Sequence, residues 1–540
     1  MLPTSYGTHP DPSMDLTYLY TVIFSAGVIS YLLYRFLRPS PIPSIPYSPC
    51  SALSILGDIP SIHSHLAANP VNTFTTYATS LLRTLHSPLI QVFPHPFRPA
   101  TLVLGDYAAA YELSVHRTRE FDRSPTVGSM LSGFIPEHHI LLRTDERWKA
   151  QRRLILGALS ASVEGEKSPC GGRAWSAKED VYLLALHGIM AFTFGAGVLE
   201  GRADAARVFE ATLEITKTMG QLKGSLLPSV KWEIFRRRKR LRDARMVMEE
   251  NVQRELPKAV AKMHGDRNAT AMSAVEHMVA HERDLAEKEG RKPDYFSRVM
   301  VDEIAGFTIA AYETTGTTLC WGLKYLTDFP EIQSTLRHAL EEGYVPAMRT
   351  GRPPTTQEIL DTDVPYLEAV VQEILRFANP ATAFDRQALM DTQILGHAVP
   401  KGTIVTCVLP HPALVSPSDI AESSPRPLDG DPGKPWDNPD LALFKPARWI
   451  HNGRFNPQAA PQVAFGLGPR ACPGKQLAYL EIKAALVGAL WNFELLPCPV
   501  EVSGYGKDVL ATQKPKQCYL RLREITRPQE DSCSREISRS

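Results

Sequence analysis

The alternation of hydrophobic and polar positions changes character several times along the chain. The run LTYLYTVIFSAGVISYLLY, residues 16–34, carries no charge and is apolar on every face. As a helix rising ~1.5 Å per residue it covers roughly 28 Å, the hydrocarbon thickness of a bilayer. Arg35 and Arg38 follow it, whereas Asp11 and Asp15 precede it. The positive-inside bias therefore places the N-terminus across a membrane and the remainder in the cytosol. Tyr18, Tyr20, Tyr31 and Tyr34 suit the interfacial belts. A cleaved signal peptide is the alternative, but the run exceeds a usual h-region and its basic residues lie behind it. Residues 1–38 are thus expected to be a membrane anchor. RPSPIPSIPYSP follows, and its prolines make 39–48 a stiff, extended spacer.

Beyond the spacer the pattern is mostly helical, with no second span, repeat or domain linker. IQVFPHPFRPATLVLGD (90–106) predicts two short strands, with Asp106 capping a helix in YAAAYELSVH. Helical spacing dominates 145–345, including one long helix from about Asp294 to Thr327. Strand character returns in ILGHAVPKGTIVTCVL (394–409), where Pro-Lys-Gly makes a turn. A surface loop is expected at 416–435 and a disordered tail at 526–540. The fold class expected is mainly α with a small β portion, a single large domain over 49–525.

Composition narrows the function. Charge is nearly balanced, with 59 basic and 58 acidic residues, so no global field points to nucleic acid. Eight cysteines are scattered without a CxxC pair, which is neither a disulfide framework nor a zinc ribbon. GLGPRA (466–471) approaches a dinucleotide fingerprint, but a proline interrupts it and no strand leads into it. His277 and His281 lie one turn apart, yet Met278 stands where a zinc hydrolase needs glutamate. RRRKRLR (236–242) reads as a solvated or membrane-facing helix face. Asn268-Ala-Thr is a glycosylation sequon by spelling only.

The stretch that concentrates chemistry is FGLGPRACPG, residues 465–474. A glycine-rich loop lets backbone N–H groups point at the Cys472 sulfur, and the helix that follows adds positive dipole. A thiolate held this way is a ligand for a soft metal or for haem iron, and Arg470 lies close enough to pair with an anionic group on a cofactor so bound. Standing alone, such a loop more often holds a structural buried cysteine. It does not stand alone.

The loop resembles the cysteine-ligand loop of the cytochrome P-450 family, Phe-x-x-Gly-x-Arg-x-Cys-x-Gly, at Phe465, Gly468, Arg470, Cys472 and Gly474. EILR is similar to that family's Glu-x-x-Arg through Glu373 and Arg376. FKPARW resembles its Phe-x-Pro-Glu-Arg segment, and Arg448 would close an ion-pair network with the other two. AAYETT (310–315) is similar to the oxygen-binding motif, WKAQR supplies Trp148 and Arg152 for a haem propionate, and Arg386 stands where the family places another propionate contact. The similarity covers roughly 40–525. Ala311 departs from the usual glycine, and Ala447 from the usual glutamate.

The resemblance implies haem b with Cys472 as the axial iron ligand, Thr314 and Glu313 supplying protons, and a cytochrome P-450 fold. The other reading of Thr314 is a hydroxyl bonded back to its own helix. Too little chain follows Cys472 for a flavin domain, so the resemblance implies electrons from NADPH through a separate reductase. The expected function is a monooxygenase of the endoplasmic reticulum membrane, single-pass, inserting one oxygen atom into an apolar small molecule. Secondary-metabolite biosynthesis is the expected setting. Alternatives are an isomerase or dehydratase needing no external electrons, a sterol, fatty-acid or xenobiotic hydroxylase, and a haem carrier without turnover. Residues near Val127–Phe134, Ala378–Phe384 and Val509–Thr512 would line the pocket.

Overall fold

The element around which the others pack is a 31-residue helix, Arg298–Asp328. Its sequence shows no single apolar stripe because nearly every face is buried, from Met300 to Thr327. It starts later than the sequence pattern suggests because Ser297 caps it, accepting from Met300 N. Buried threonines inside it satisfy their hydroxyls on the preceding turn, as Thr318 does on Thr314 O (2.9 Å) and Thr327 on Leu323 O (2.8 Å). Pro330 opens the next helix at once.

The computed structural model describes residues 12–69, 72–96, 99–156, 174–195, 198–199, 201–223, 228–265, 269–408, 441, 443–509 and 511–527. The loop expected at 416–435, Asn268 and residues 528–540 lie outside the described residues. Helices predominate, with a small β portion, as the sequence predicts. The N-terminal helix runs Pro12–Leu37. Among the described residues, its part Tyr18–Leu37 is the one helix long and apolar enough to cross a membrane. Its Phe24 and Phe36 project into solvent.

The largest sheet comprises β1 (Leu89–Val92), β2 (Thr101–Leu104), β3 (Phe121–Arg123), β4 (Phe384–Ala388) and β5 (Ile404–Cys407). They lie in the order β1-β2-β5-β4-β3, with only β2 and β5 parallel. The register sets Arg123 directly opposite Arg386. Asp106 caps the helix Tyr107–Val115 through Ala109 N (2.7 Å), which packs beside this sheet. A C-terminal hairpin, Lys507–Val509 with Gln513–Pro515, lies against the central helix.

A buried ion network ties the helix Pro365–Ala378 to the chain ahead of the cysteine loop. Glu373 has no solvent exposure and accepts both arms of Arg376 (2.8 Å each) and Arg448 Nε (3.1 Å). Lys445 N (2.8 Å) and Trp449 Nε1 (2.9 Å) also donate to it. The remaining arginine donors reach Leu441 O and Leu443 O. Those carbonyls and the indole occupy the network to which Ala447 brings no carboxylate. Replacing Arg376 with alanine leaves Glu373 buried with half its counter-charge, a loss of about 3–5 kcal/mol. Arg376→Lys, which keeps the charge but not the fork, should fall between. Yield of folded protein and thermal midpoint measure this; a native midpoint in Arg376→Ala would show the pair contributes nothing.

Candidate functional site

The cysteine loop is shaped by its glycines. Gly466 and Gly468 both take positive φ (69° and 68°). At Gly468 a Cβ would lie 2.0 Å from Ser114 O, so no other residue fits there. The loop closes with Cys472 N donating to Phe465 O (2.7 Å), and Phe465 stacks on Tyr479 of the helix Lys475–Asn492. Protein surrounds Cys472 on most sides, yet its surface is open to a water-sized sphere. The thiol therefore borders an interior cleft and not bulk solvent. Burial pushes that thiol up; the Gly474 N–H and the charges of Arg152 and Arg123 pull against it.

Arg470, Arg152, Trp148 and Arg386 come together around this loop. Trp148 is buried, with the guanidinium of Arg470 4.6 Å and that of Arg152 5.4 Å from its ring centroid. Arg152 donates to Ala471 O (2.9 Å), Arg470 to Leu142 O (2.8 Å), and Arg386 to Leu467 O (3.1 Å). A fourth guanidinium, Arg123, joins them from β3 and was not expected from sequence. No motif marks it, and only its register opposite Arg386 reveals it. Burial pushes Arg123 down to about 10 and Arg470 to about 9, and neighbouring guanidiniums add to both shifts. Asp122 is the buried carboxylate among them. Burial raises it, but hydrogen bonds from Thr144 N (2.8 Å), Thr144 Oγ1 (2.7 Å) and Arg123 N (2.7 Å) hold it below its usual value.

On the central helix, Ala310 is exposed and Ala311 and Thr314 are half-exposed, although their neighbours along the helix are buried. The helix runs unbroken through Ala311. The Thr314 hydroxyl bonds back to Ala310 O (3.0 Å) and Ala311 O (3.2 Å). Glu313 is 2% exposed and turns to the C-terminal hairpin, where Lys514 Nζ (3.1 Å) and Thr512 Oγ1 (2.7 Å) meet its Oε1. The acid and the threonine therefore do not share the helix's accessible face.

A family model described as Cytochrome P-450 matches residues 76–411 and 431–519. The chain is 31% identical to the cytochrome P-450 monooxygenase TRI13 of Fusarium sporotrichioides, over 92% of this chain and 97% of that one. It is also 31% identical to the cytochrome P-450 monooxygenase GME11363 of Pestalotiopsis microspora, over 91% and 96%. The cytochrome P-450 monooxygenase xilC of Penicillium crustosum matches at 29%, over 92% and 94%. The chain belongs to the cytochrome P-450 family. In class it is a monooxygenase, and the family implies haem iron. The residues fit such a group. Four guanidiniums, two of them buried (Arg386, Arg470) and two half-buried, outnumber the carboxylates Asp122 and Asp385 beside them and leave positive charge for an anionic cofactor to neutralise, and the accessible sulfur of Cys472 is a soft ligand.

A second buried cluster escaped the sequence pattern altogether. Glu303 accepts from His139 N (2.5 Å) and His139 Nδ1 (2.8 Å), and lies 3.3 Å from His138 Nε2. His138 Nδ1 accepts from Ile140 N (3.1 Å), which leaves the proton of a neutral ring on Nε2. That proton points the cluster away from metal ligation and makes it a clamp on the carboxylate. Next to it, Asp302 accepts from Glu137 N (2.7 Å). The ring of His138 lies so close to Gly306 that a Cβ there would fall 2.2 Å away. Residues 137–139, just ahead of the Trp148 helix (Glu146–Leu156), are thus fastened to the central helix.

Burial holds both imidazoles down near 3 and lifts the Glu303 carboxyl to about 7. Imidazoles kept neutral by the fold stabilise it above about pH 6.5, and that contribution is lost as the pH falls toward 3. The raised carboxyl acts oppositely, with its contribution lost as the pH rises from about 4.5 through 7. Two imidazoles outweigh one carboxyl, so thermal stability of the holoenzyme should fall between pH 7.5 and 5.5. Glu303→Gln, which removes the opposing group, should steepen that fall; equal slopes in both proteins would contradict the clamp.

Proposed function

We propose that this chain is a membrane-anchored haem-thiolate monooxygenase that inserts one oxygen atom into an apolar small molecule, in fungal secondary-metabolite biosynthesis. The reading rests above all on Cys472, a cysteine enclosed by protein yet open to an interior cleft among four arginines. Haem bound there through the sulfur supplies the oxygen-activating chemistry. Arg152, Arg470, Arg386 and Trp148 orient its anionic edge, with Arg123 as a further contact. Glu373, Arg376 and Arg448 hold the segment that leads into the loop. Residues 1–38 anchor the chain in the endoplasmic reticulum membrane with the body, 49–525, in the cytosol. A separate NADPH-dependent reductase supplies electrons.

A small cleft on the central helix is lined by Phe134, Ile135, Ile215, Met248, Val301 and Ile309 together with the charged Arg245, Glu249 and Arg298. Thr314 lies further along the same helix, and in this reading its hydroxyl leaves the Ala310 carbonyl to hand a proton into the accessible space beside it. Glu313 relays protons to that side from water.

Cys472→Ala should abolish the red-shifted carbon monoxide band that thiolate ligation gives reduced haem; survival of that band would remove the whole reading. Thr314→Ala tests the proton role. Losing a hydrogen bond of about 1–3 kcal/mol allows a ten- to hundredfold shift in partition. NADPH consumption should then continue while hydrogen peroxide rises at the expense of product. An unchanged peroxide-to-NADPH ratio would mean that Thr314 does not deliver the proton. The substrate for that assay is sought by metabolite profiling after gene deletion.

A further inference from the structure

The basic run that begins at Arg236 has no part in this reaction, and it ends beside the small cleft on the central helix. Between Arg236 and Arg245 stand seven basic residues and one acid, Asp243. The last of them, Arg245, is half-buried on the helix Lys239–Gly265 and lines the cleft. Met248 and Val252 follow it at helical spacing, so one face of that helix forms one wall. The central helix forms another. The two ends of the cleft differ. The Glu249 and Arg298 side chains are 41% and 44% exposed, whereas Phe134 and Ile309 are buried. The cleft therefore has a charged mouth and an apolar floor. Glu249 stands four residues after Arg245, the spacing at which a helix pairs opposite charges. It is instead turned to Arg298 Nη1 (3.3 Å), and Arg298 also holds Asp302 (2.7 Å). Arg245 makes no hydrogen bond or ion pair among the described residues.

We propose that Arg245 binds the carboxylate of the substrate, and that the substrate is an amphipathic monocarboxylic acid whose apolar body lies in this cleft. The proposal rests on the reading of the chain as an oxygenase of apolar small molecules, and it names the polar end of that molecule. A guanidinium half-buried against an apolar wall is less screened by water than one in bulk solvent, so an anion gains more from it there. Its planar fork matches the two oxygens of a carboxylate. Charge restricts the ligand further. The Glu249 carboxylate one turn away repels anions, so a single unpaired guanidinium suits a monoanion better than a dianionic phosphate. The basic run ahead of Arg245 concentrates anions at this entrance and repels cations. From Arg298 at the mouth to Ala310, the central helix rises about 18 Å. A molecule held by its carboxylate at the mouth and extended along the floor points its far, apolar end toward the opening at Ala310. Oxygen is thereby directed to carbons remote from the acid group.

The test uses the full-length holoenzyme and three probes that share one chain and differ at the end: dodecanoic acid, dodecanol and dodecylamine. Calorimetry at neutral pH reads binding, and the absorbance of the oxidised haem reads whether the bound probe reaches the reaction site. Haem content and the carbon monoxide band establish that each variant is folded. The native enzyme should bind the acid roughly ten- to hundredfold more tightly than the alcohol, with a change in the haem spectrum. Arg245→Gln should erase that preference and leave the affinity for the alcohol as it was. Arg245→Lys, which keeps the charge and loses the fork, should retain part of it, and Arg245→Glu should transfer it to the amine. Val301→Phe, which fills the cleft, should weaken acid and alcohol alike; Ala305→Leu takes its place if Val301→Phe lacks haem. Equal affinities for acid and alcohol in the native enzyme would overturn the proposal. So would an acid preference that survives Arg245→Gln or the filled cleft, a loss of alcohol binding in Arg245→Gln, or acid binding that leaves the haem spectrum unchanged. In each of these cases the haem-thiolate reading still stands on the carbon monoxide band. A native enzyme without that band would remove both.

Discussion

A helix buried on every side must find partners for its polar side chains inside the protein, and that constraint organises this fold. Arg298–Asp328 carries Asp302, Glu303, Glu313 and a series of threonines into the interior. These carboxylates recruit two distant parts of the chain. Asp302 and Glu303 fasten residues 137–139, and Glu313 fastens the C-terminal hairpin. Some of the threonines, Thr318 and Thr327 among them, return their hydroxyls to the preceding turn, whereas Thr317 meets Tyr182 and Thr512. The half-exposed Thr314 sits at the gap in this burial, where Ala310 is open. Ala305, Phe307 and Ala311 are half-exposed as well, so the burial of the helix opens along this stretch.

Around the cysteine loop the balance runs the other way. The central helix matches its charges within the protein, whereas Arg123, Arg152, Arg386 and Arg470 gather with a single buried carboxylate. Main-chain carbonyls of Leu142, Leu467 and Ala471 take some of their donors, but carbonyls do not cancel charge. The region is electrostatically incomplete by itself. Its mismatch is local and one-signed, which distinguishes a binding cradle from a structural network such as the one centred on Glu373.

What the sequence made legible follows from the range of the interactions involved. The cysteine loop is local: Phe465, Gly468, Arg470, Cys472 and Gly474 act through backbone geometry over ten residues, so their spacing survives as a readable pattern. Glu373 and Arg376 are one turn apart for the same reason. The Asp106 cap and the two strands at 89–104 were equally plain. Arg123 could not be found this way, because its meaning lies in a cross-strand register with Arg386. Lys514 belongs to the same class, since its partner stands far back in the chain at Glu313. The clamp of His138, His139 and Glu303 depends on a glycine at 306 that lets a ring approach, and nothing in the spacing of those four residues announces it. Ala447, a departure by motif, lies beside a network whose carboxylate takes donors from a backbone N–H and an indole as well as from arginines.

The pairing of Glu313 with the hairpin also has a consequence for the birth of the protein. A ribosome releases the central helix long before the hairpin that carries Lys514. Until then the nascent central helix holds an acid whose counter-charge has not been translated, together with a Glu373 still waiting for Arg448. The body of the chain is therefore held back from its final packing until both partners have been made. A message cut short before codon 514 would yield a chain with unmatched charge in its interior, an exposed and degradable product. The hairpin thus serves as a late check written into the electrostatics of the core.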